Sequence, residues 1–501
     1  MLDESFLKSL TRNFTFNVYM RAGVAFNGSG GAQGGITFEM PDNYVGGGRT
    51  TSRLGNENDF YTELSWNQAH ILGDSPDVID ASFRATMQAF SGTVKQGAVN
   101  IQTTGSTPGF GIGMVEGFVE MKNVIKSAPE ITFWGGQRFY DRWNIDPEDY
   151  FWLNTSGFGV GVYNIPLGPG TLWLAWLGNN NDNLNTVSGL STFNANDHVG
   201  NLYKQTFDVR YKDVDIGFGK LSFILIGNYV KGDTYESTFT SFGGTVGGVT
   251  FGKSVNGIVQ TPDMYGIGGG LIWDYNFGNK SELRFSGLYG YGATDFQGNI
   301  GNQIGQVNTA WQNQFNRFLI GAGNNVQFRN GEPFVAVDPV RHAREALATG
   351  MFIWNPNPCF SLGVWANWEY NDNGTVAVGI NNSGVVQASG IRNIVSAGIR
   401  PVVWITDGIA IQGAASGSYI DNVRTQTGAA FGRSGEYGIF TIAPTIKPKG
   451  GYFTRPEIRL FATYAIWSDS LKGTSASGGQ PPYSGNTNQG WLIGSQMEIW
   501  F

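Results

Sequence analysis

Trp491-Leu492-Ile493-Gly494-Ser495-Gln496-Met497-Glu498-Ile499-Trp500-Phe501 alternates in character residue by residue. Met497, Ile499 and Phe501 fall on one face; Gln496, Glu498 and Trp500 fall on the other. A strand sends successive side chains to opposite faces, so this stretch reads as a strand with one apolar wall and one polar wall. The same period begins at Phe14, where Phe14, Phe16, Val18, Met20 and Ala22 share a face and Asn17, Tyr19, Arg21 and Gly23 share the other. Further alternating runs lie at Phe60 to Trp66, Lys220 to Asn228, Glu282 to Tyr291, Phe360 to Trp368, Ile394 to Trp404 and Pro456 to Trp467.

Composition points the same way. Of 501 residues, 74 are glycine, 14% are aromatic and 14% are charged, against about 25% charged in ordinary soluble domains. No run approaches the ~18 apolar residues of a membrane helix; Phe223-Ile224-Leu225-Ile226 is strand-length. A membrane protein with this hydropathy has to be a closed barrel, since only closure leaves no unpaired backbone in lipid. The expected fold is therefore all-β: a transmembrane antiparallel barrel over residues 14–501, of about 18 strands. Asn179 to Asn201, Thr234 to Thr261 and Leu471 to Gln489 are long polar connections, while others are short, as expected of a barrel with loops on one side and turns on the other.

Residues 1–13 differ. Leu2, Phe6, Leu7 and Leu10 stand at helical spacing, with acids early and bases late, which predicts a short periplasmic helix or leader. Met1 to Glu4 lack a basic, apolar-cored signal peptide, so an exported protein would be numbered from a mature or engineered start. Pro339 to Gly350 carries strong helix formers and predicts a helix, with a loop or the start of a strand as the competing reading.

Enzymatic and nucleotide chemistry find little support. Gly247-Gly248-Val249-Thr250-Phe251-Gly252-Lys253-Ser254 matches the phosphate-loop pattern, but Pro262 follows where a helix is required, so the stretch reads as a loop. His70, His198 and His342 are scattered without metal spacing, and no cofactor is expected. The net charge of −7 argues against nucleic acid, and the single Cys359 allows no internal disulfide. The polar face is more informative. It carries Tyr19 and Arg21 on the first strand, Tyr61 and Glu63 on the second, and Glu498 and Trp500 on the last. Aromatic rings beside charges suit sugars, whose C–H faces stack and whose hydroxyls bond to carboxylates and guanidinium groups. The bland alternative makes Tyr19, Tyr61 and Trp500 girdle residues at the membrane interface. Because a closed barrel pairs its first and last strands, matched parity at both places favours the lumen.

Five blocks resemble the maltoporin family of sugar-selective outer-membrane porins, which includes the sucrose porins. They are Tyr19-Met20-Arg21-Ala22-Gly23 with Asn27 to Gly31; Arg53-Leu54-Gly55-Asn56-Glu57 with Phe60 to Leu64; Trp134 to Arg142 with Asp149-Tyr150-Phe151-Trp152; Gly398-Ile399-Arg400-Pro401; and Arg455 to Ala465 with Gln496 to Trp500. An aromatic final residue on the apolar side likewise resembles the closing strand of outer-membrane barrels. The resemblance implies an 18-stranded barrel in the bacterial outer membrane, set in its lipid and assembled as a homotrimer. It also implies a row of aromatics, the greasy slide, with polar tracks beside it. Tyr19, Tyr61 and Trp500 match slide members, and Phe151 stands where a constriction tyrosine is usual. Arg21, Arg53, Glu63 and Arg142 match polar-track charges, while Asn144 and Asp149 lie in the third-loop segment that narrows the pore. One slide tryptophan is replaced by Ile394 or Val395, and Trp273 points outward by alternation. The function implied is passive, selective diffusion of oligosaccharides, maltodextrin-like or other. The alternatives are a general diffusion porin and, from a different class, a secreted β-rich binding protein.

Overall fold

The computed structural model describes residues 13–27, 32–33, 52–57, 60–73, 75, 77–91, 110–181, 202–239, 244–246, 249–251, 255–294, 296, 327–329, 332–336, 342–372, 374, 377–381, 384–388, 390–422, 432–472 and 487–501. Eighteen of its strands form the wall: β1 Phe14–Asn27, β2 Phe60–Gln68, β3 Asp80–Ser91, β4 Phe110–Lys122, β5 Thr132–Arg138, β6 Gly157–Leu167, β7 Gly170–Asn181, β8 Leu202–Asp215 and β9 Lys220–Val230. They continue as β10 Met264–Asn276, β11 Glu282–Gly292, β12 Arg344–Asn357, β13 Phe360–Asp372, β14 Ile391–Trp404, β15 Ile409–Ile420, β16 Gly435–Ile446, β17 Glu457–Trp467 and β18 Gln489–Trp500. Each pairs antiparallel with its neighbour in sequence. The ring closes through β1 and β18, with Tyr19 opposite Trp500 and Arg21 opposite Glu498. Closure leaves no open edge, as a strand structure in lipid requires.

Alternation decides which way each side chain faces. Along β17, Glu457, Arg459, Phe461, Thr463, Ala465 and Trp467 are buried inside, while Ile458, Leu460, Ala462, Tyr464 and Ile466 are exposed outside. On β1 the outward Phe14 and Phe26 are 50% and 52% exposed, whereas inward Arg21 is 5% exposed. Ring contacts join outward Trp273, Tyr275, Phe277, Phe352 and Trp354 in a ladder near the short-turn ends of β10 to β12. Such a band is the aromatic girdle expected at a membrane interface. Trp273 thus faces outward, as its parity predicts.

Among the described residues the lumen is not an open tube: two segments, 52–57 and 139–156, fold into it, and Phe296 packs beside the second. After β1, residues 52–57 lie against the inner wall of β16 to β18. Thr441 and Thr463 donate hydrogen bonds to the carbonyls of Leu54 (3.0 Å) and Gly55 (2.9 Å), and Leu54 is wholly buried in a core that includes Ile439, Phe461 and Leu492. After β5, residues 139–156 form a hairpin of Trp143–Ile145 against Tyr150–Leu153, joined by a 3₁₀ turn at Asp146–Glu148. Trp152, Leu153 and Ile145 pack on inward Ile224, Ile226, Ile272, Leu288, Leu347 and Trp365. Burying an aliphatic side chain such as Leu153 or Ile145 contributes about 1.5–3 kcal/mol.

Over its described residues, 342–350, the helix expected at Pro339 to Gly350 is not formed. From Arg344 onward these residues are β12, with Glu345, Leu347, Thr349 and Met351 inward. Ladder hydrogen bonds to β11 and β13 outweigh the helix preference of Ala and Glu, which amounts to tenths of a kcal/mol per residue. Of the phosphate-loop match the described residues are Val249–Phe251, a strand paired with Gly244–Val246, and strand Val255–Thr261 follows where a helix would be needed. Residues 1–12, and with them the predicted leader helix, lie outside the described residues.

Gly55 has φ +65°, and a Cβ there would lie 2.6 Å from Thr463 Oγ1 and 2.9 Å from Phe461. Gly55→Ala should therefore lift the inserted segment off the wall, at about 1–3 kcal/mol of strain. Higher unblocked pore conductance, with the barrel still heat-modifiable on detergent gels, is the expected result; an unchanged conductance would contradict it.

Candidate functional site

The closing register brings together the aromatic residues that parity assigned to the lumen. Tyr19 stacks on Trp500 with ring centroids 6.2 Å apart, and it meets Tyr61 edge-on at 5.8 Å. All three face inward and are partly exposed, so a continuous strip of rings runs across β18, β1 and β2. Cations border it. The Arg21 guanidinium lies 5.1 Å from the Tyr61 ring, and that of Arg455 lies 4.0 Å from Trp500. Tyr61 donates to Glu63, and Tyr19 donates to Glu498 Oε1 at 3.1 Å.

These charges are held in one connected network. Arg53, on the inserted 52–57 segment, donates to Glu57 Oε2 (3.1 Å), to the Tyr19 hydroxyl (3.0 Å) and to Glu498 Oε1 (3.3 Å). It also reaches Asp146 of the second insert at 3.5 Å. Arg21 bridges Glu57 at 3.1 Å and Asp149 at 3.5 Å. Arg53, Arg455 and Arg459 surround Glu498. Lys447, Arg455, Arg459 and Arg400 surround Glu457. Such desolvated charges are tolerable only when paired this fully.

The other predicted residues lie on the second insert. Arg142 is held between two rings, 3.4 Å from the centroid of Phe139 and 4.7 Å from that of Phe151. Asn144 pairs with Phe151 in the backbone of the hairpin. Asp149 takes a left-handed conformation, φ +53°, at the end of the 3₁₀ turn and aims its carboxylate at Arg21. The structure thus gathers Tyr19, Arg21, Arg53, Asp149, Tyr61, Glu63 and Trp500 on one side of the lumen. Phe151, Arg142 and Asn144 lie on the same hairpin as Asp149.

Several residues of the site escaped sequence reading. Glu148 is completely buried at the hairpin tip and accepts hydrogen bonds from Asn367 of β13 and from Ser396 of β14 (2.5 Å). Tyr150 donates to Glu369 at 3.1 Å. These contacts carry the insert across the lumen to the far wall. At its root, Arg210 NH1 and Lys212 Nζ contact Asp141 Oδ2 at 2.7 and 2.6 Å. Burial raises the Asp141 carboxyl, but Arg210 and Lys212 outweigh it and hold it down at about 2. The inward parity of Glu369 was available from the β13 alternation; the partnership with a loop residue more than two hundred positions away was not. Glu457 and Arg459 stood in a quoted block, and their inward parity could have added them to the site.

The resemblance expects a ring where Ile394 or Val395 stands. Ile394 faces inward and is 3% exposed, while Val395 faces outward. Trp365 of β13 lies over Gly398, where a Cβ would be 2.3 Å from its ring, but Trp365 is sealed beneath the hairpin. Trp404 is buried against Tyr452 and donates to the Pro448 carbonyl at 3.3 Å. Neither ring faces the passage.

The LamB porin family profile matches residues 14–501. Maltoporin 1 of Klebsiella pneumoniae is 25% identical over 488 residues, covering 97% of this chain and 92% of that protein. Among solved structures, Salmonella typhi OmpF (in a complex with daunomycin) aligns with TM-score 0.39 and 10% identity over 97% of both chains. Acinetobacter baumannii OccAB2 aligns with TM-score 0.43 and 8% identity over 98% of this chain and 99% of that one. An 18-strand closed barrel, inward charges on two inserted loops and a profile match spanning the whole wall together make the chain a member of the LamB porin family, a channel-forming protein of the bacterial outer membrane.

Proposed function

We propose that this porin passes sugars by facilitated diffusion along the strip Trp500–Tyr19–Tyr61, with Arg21, Arg53, Glu63 and Asp149 exchanging hydrogen bonds with hydroxyl groups. The observation that carries this reading is the strip itself: adjacent rings facing water, edged by groups with both donors and acceptors. Rings exposed in a lumen leave apolar area in water, and the faces of pyranose rings cover such area. Each contact is weak, so a sugar hops between rings without being trapped, which conduction requires. The name of the Klebsiella relative supports maltodextrin-like oligosaccharides as substrates. Phe151 and Arg142 serve the narrowest passage in this scheme, with Phe151 supplying a ring face and no hydroxyl. A homotrimer, the assembly implied by the resemblance, is part of the same proposal.

Ile394, in place of a ring, shortens the strip and supports a second reading, a general diffusion porin. Liposome swelling separates the two. Saturable preference among sugars of similar size is expected; a smooth size cutoff would favour the general porin.

Tyr61→Ala should weaken sugar block of single-channel current about two- to tenfold, the worth of one ring contact, with unblocked conductance nearly unchanged. Equal block by variant and wild type would remove Tyr61 from the pathway. Glu148→Ala takes away the acceptor for Asn367 and Ser396 and should release the hairpin tip. Unblocked conductance should then rise and sugar discrimination fall; a conductance equal to wild type would show that the tip is held otherwise.

The Asp141 carboxyl is depressed in the folded protein, so its anchoring of the hairpin root is complete above the ordinary carboxylate pKa and is lost as pH falls through about 2. Conductance should therefore hold steady from pH 7 to about 4 as far as this anchor is concerned, and change on approaching pH 2. Asp141→Asn should show the low-pH conductance already at neutral pH.

A further inference from the structure

A second group of rings faces the lumen, about a third of the way round the ring of strands from Tyr19. Tyr163 of β6 and Trp173 of β7 are inward, partly exposed and 4.8 Å apart by ring centroid. They stand close to the short-turn ends of their strands, which in outer-membrane barrels is the periplasmic side. Behind them Trp134 and Tyr140 are buried at 3% and 1% exposure, and Tyr163 and Trp173 pack against this core while each keeps part of its surface towards the lumen.

The outer pair has its polar atoms occupied. Trp173 Nε1 donates to Thr171 at 3.2 Å, and the Tyr163 hydroxyl donates to Glu120 Oε1 at 2.7 Å. What these rings leave to the lumen is apolar carbon. Hydrogen-bonding groups border it: Arg138, paired with Glu120 at 3.0 Å and 5.8 Å over the Tyr163 ring, and Lys212, paired with Asp141 and 4.1 Å over one side of the Trp173 ring. Each of these cations holds a carboxylate, so the patch has little net charge to draw an ion. Ring carbon edged by neutralised donors and acceptors matches a neutral polyhydroxylated solute better than an anion.

We propose that Tyr163 and Trp173 form a second carbohydrate-stacking station on the periplasmic side, separate from the strip at the barrel closure. The proposal rests on the sugar-porin reading above and adds a site to it. Since the closure strip lies on a different part of the wall, a sugar chain extended along that strip does not cover this pair. The station receives sugars that have passed the hairpin, or that enter from the periplasmic side.

The test is current block in planar bilayers by a neutral maltodextrin added to one side at a time. Trp173→Leu keeps apolar bulk against Tyr140 and removes the stacking ring; Trp173→Phe keeps a ring. With periplasmic-side addition, Trp173→Leu should slow blocking association about two- to tenfold, and Trp173→Phe should recover most of the loss. With addition from the loop side, association should match wild type. Unblocked conductance equal to wild type certifies that each variant is folded. Identical periplasmic-side kinetics in wild type and Trp173→Leu would overturn the station while leaving the closure strip intact. A loss equal from both sides would overturn its separateness. Stronger block by a phosphorylated sugar than by the neutral one, abolished in Trp173→Leu, would overturn the neutral-solute assignment. Wild type that no sugar blocks from either side would instead sink the sugar-porin reading, and the station with it.

Discussion

The structure depends on the requirement that backbone amides and carbonyls in lipid be bonded to one another. A strand wall meets it only by closing, and closure joins β1 to β18 in a single register. A slip of one residue would turn Phe14, Phe16 and Ile499 into the lumen and expel Arg21 and Glu498 into hydrocarbon. The hydrophobic pattern thus fixes the register, and the register sets Tyr19 opposite Trp500 and Arg21 opposite Glu498. The aromatic strip follows from how the barrel shuts. It is not an independent construction on a finished wall.

A ring of 18 strands encloses far more space than a selective passage can use. The inserts at 52–57 and 139–156 fill that space, and they do so in different ways. The first is fixed by two threonines donating to backbone carbonyls and by Leu54 in an apolar core. The second spans the lumen on large rings and is fastened at both ends by buried ionic or charge-assisted contacts: Asp141 at its root, Glu148 at its tip. Charge-assisted bonds away from bulk water are the strong ones, which suits a loop that the proposed function requires to hold the passage narrow.

The sequence shows the wall more readily than it shows what fills it. Period two on β1, β2 and β18 is a local signal, and it oriented Tyr19, Arg21, Tyr61, Glu63 and Trp500 correctly from neighbours within a few positions. Arg344 to Gly350 misled for the complementary reason: helix propensity is local too, but the ladder on both sides of β12 is not, and the ladder is stronger. Loop inserts are the least legible. The bond from Ser396 to Glu148, or from Thr463 to Gly55, joins residues hundreds of positions apart, and no period marks either partner. Ile394 shows a finer limit. That Ile394 stands where the resemblance expects a ring was visible in the sequence, whereas the sealing of nearby Trp365 beneath the hairpin follows from packing alone.

Buried charge ties the passage to the loops that shape it. Glu498 belongs to the wall, Arg53 to the first insert, and Asp146 and Asp149 to the second, yet the four meet through Arg53 and Arg21. Removing one member of such a network leaves its partner unpaired at low dielectric, which costs more than the pair contributes when intact. Neither insert can therefore shift without exposing the other's charges to a worse environment. The polar edge of the strip, which on this reading offers hydrogen bonds to a passing solute, is then also the clamp that sets the width of its path. A substitution that alters the chemistry of that edge alters the aperture with it. The ring faces of Tyr61 and Trp500 carry no charge, and under the proposed function they offer the better means of changing affinity alone.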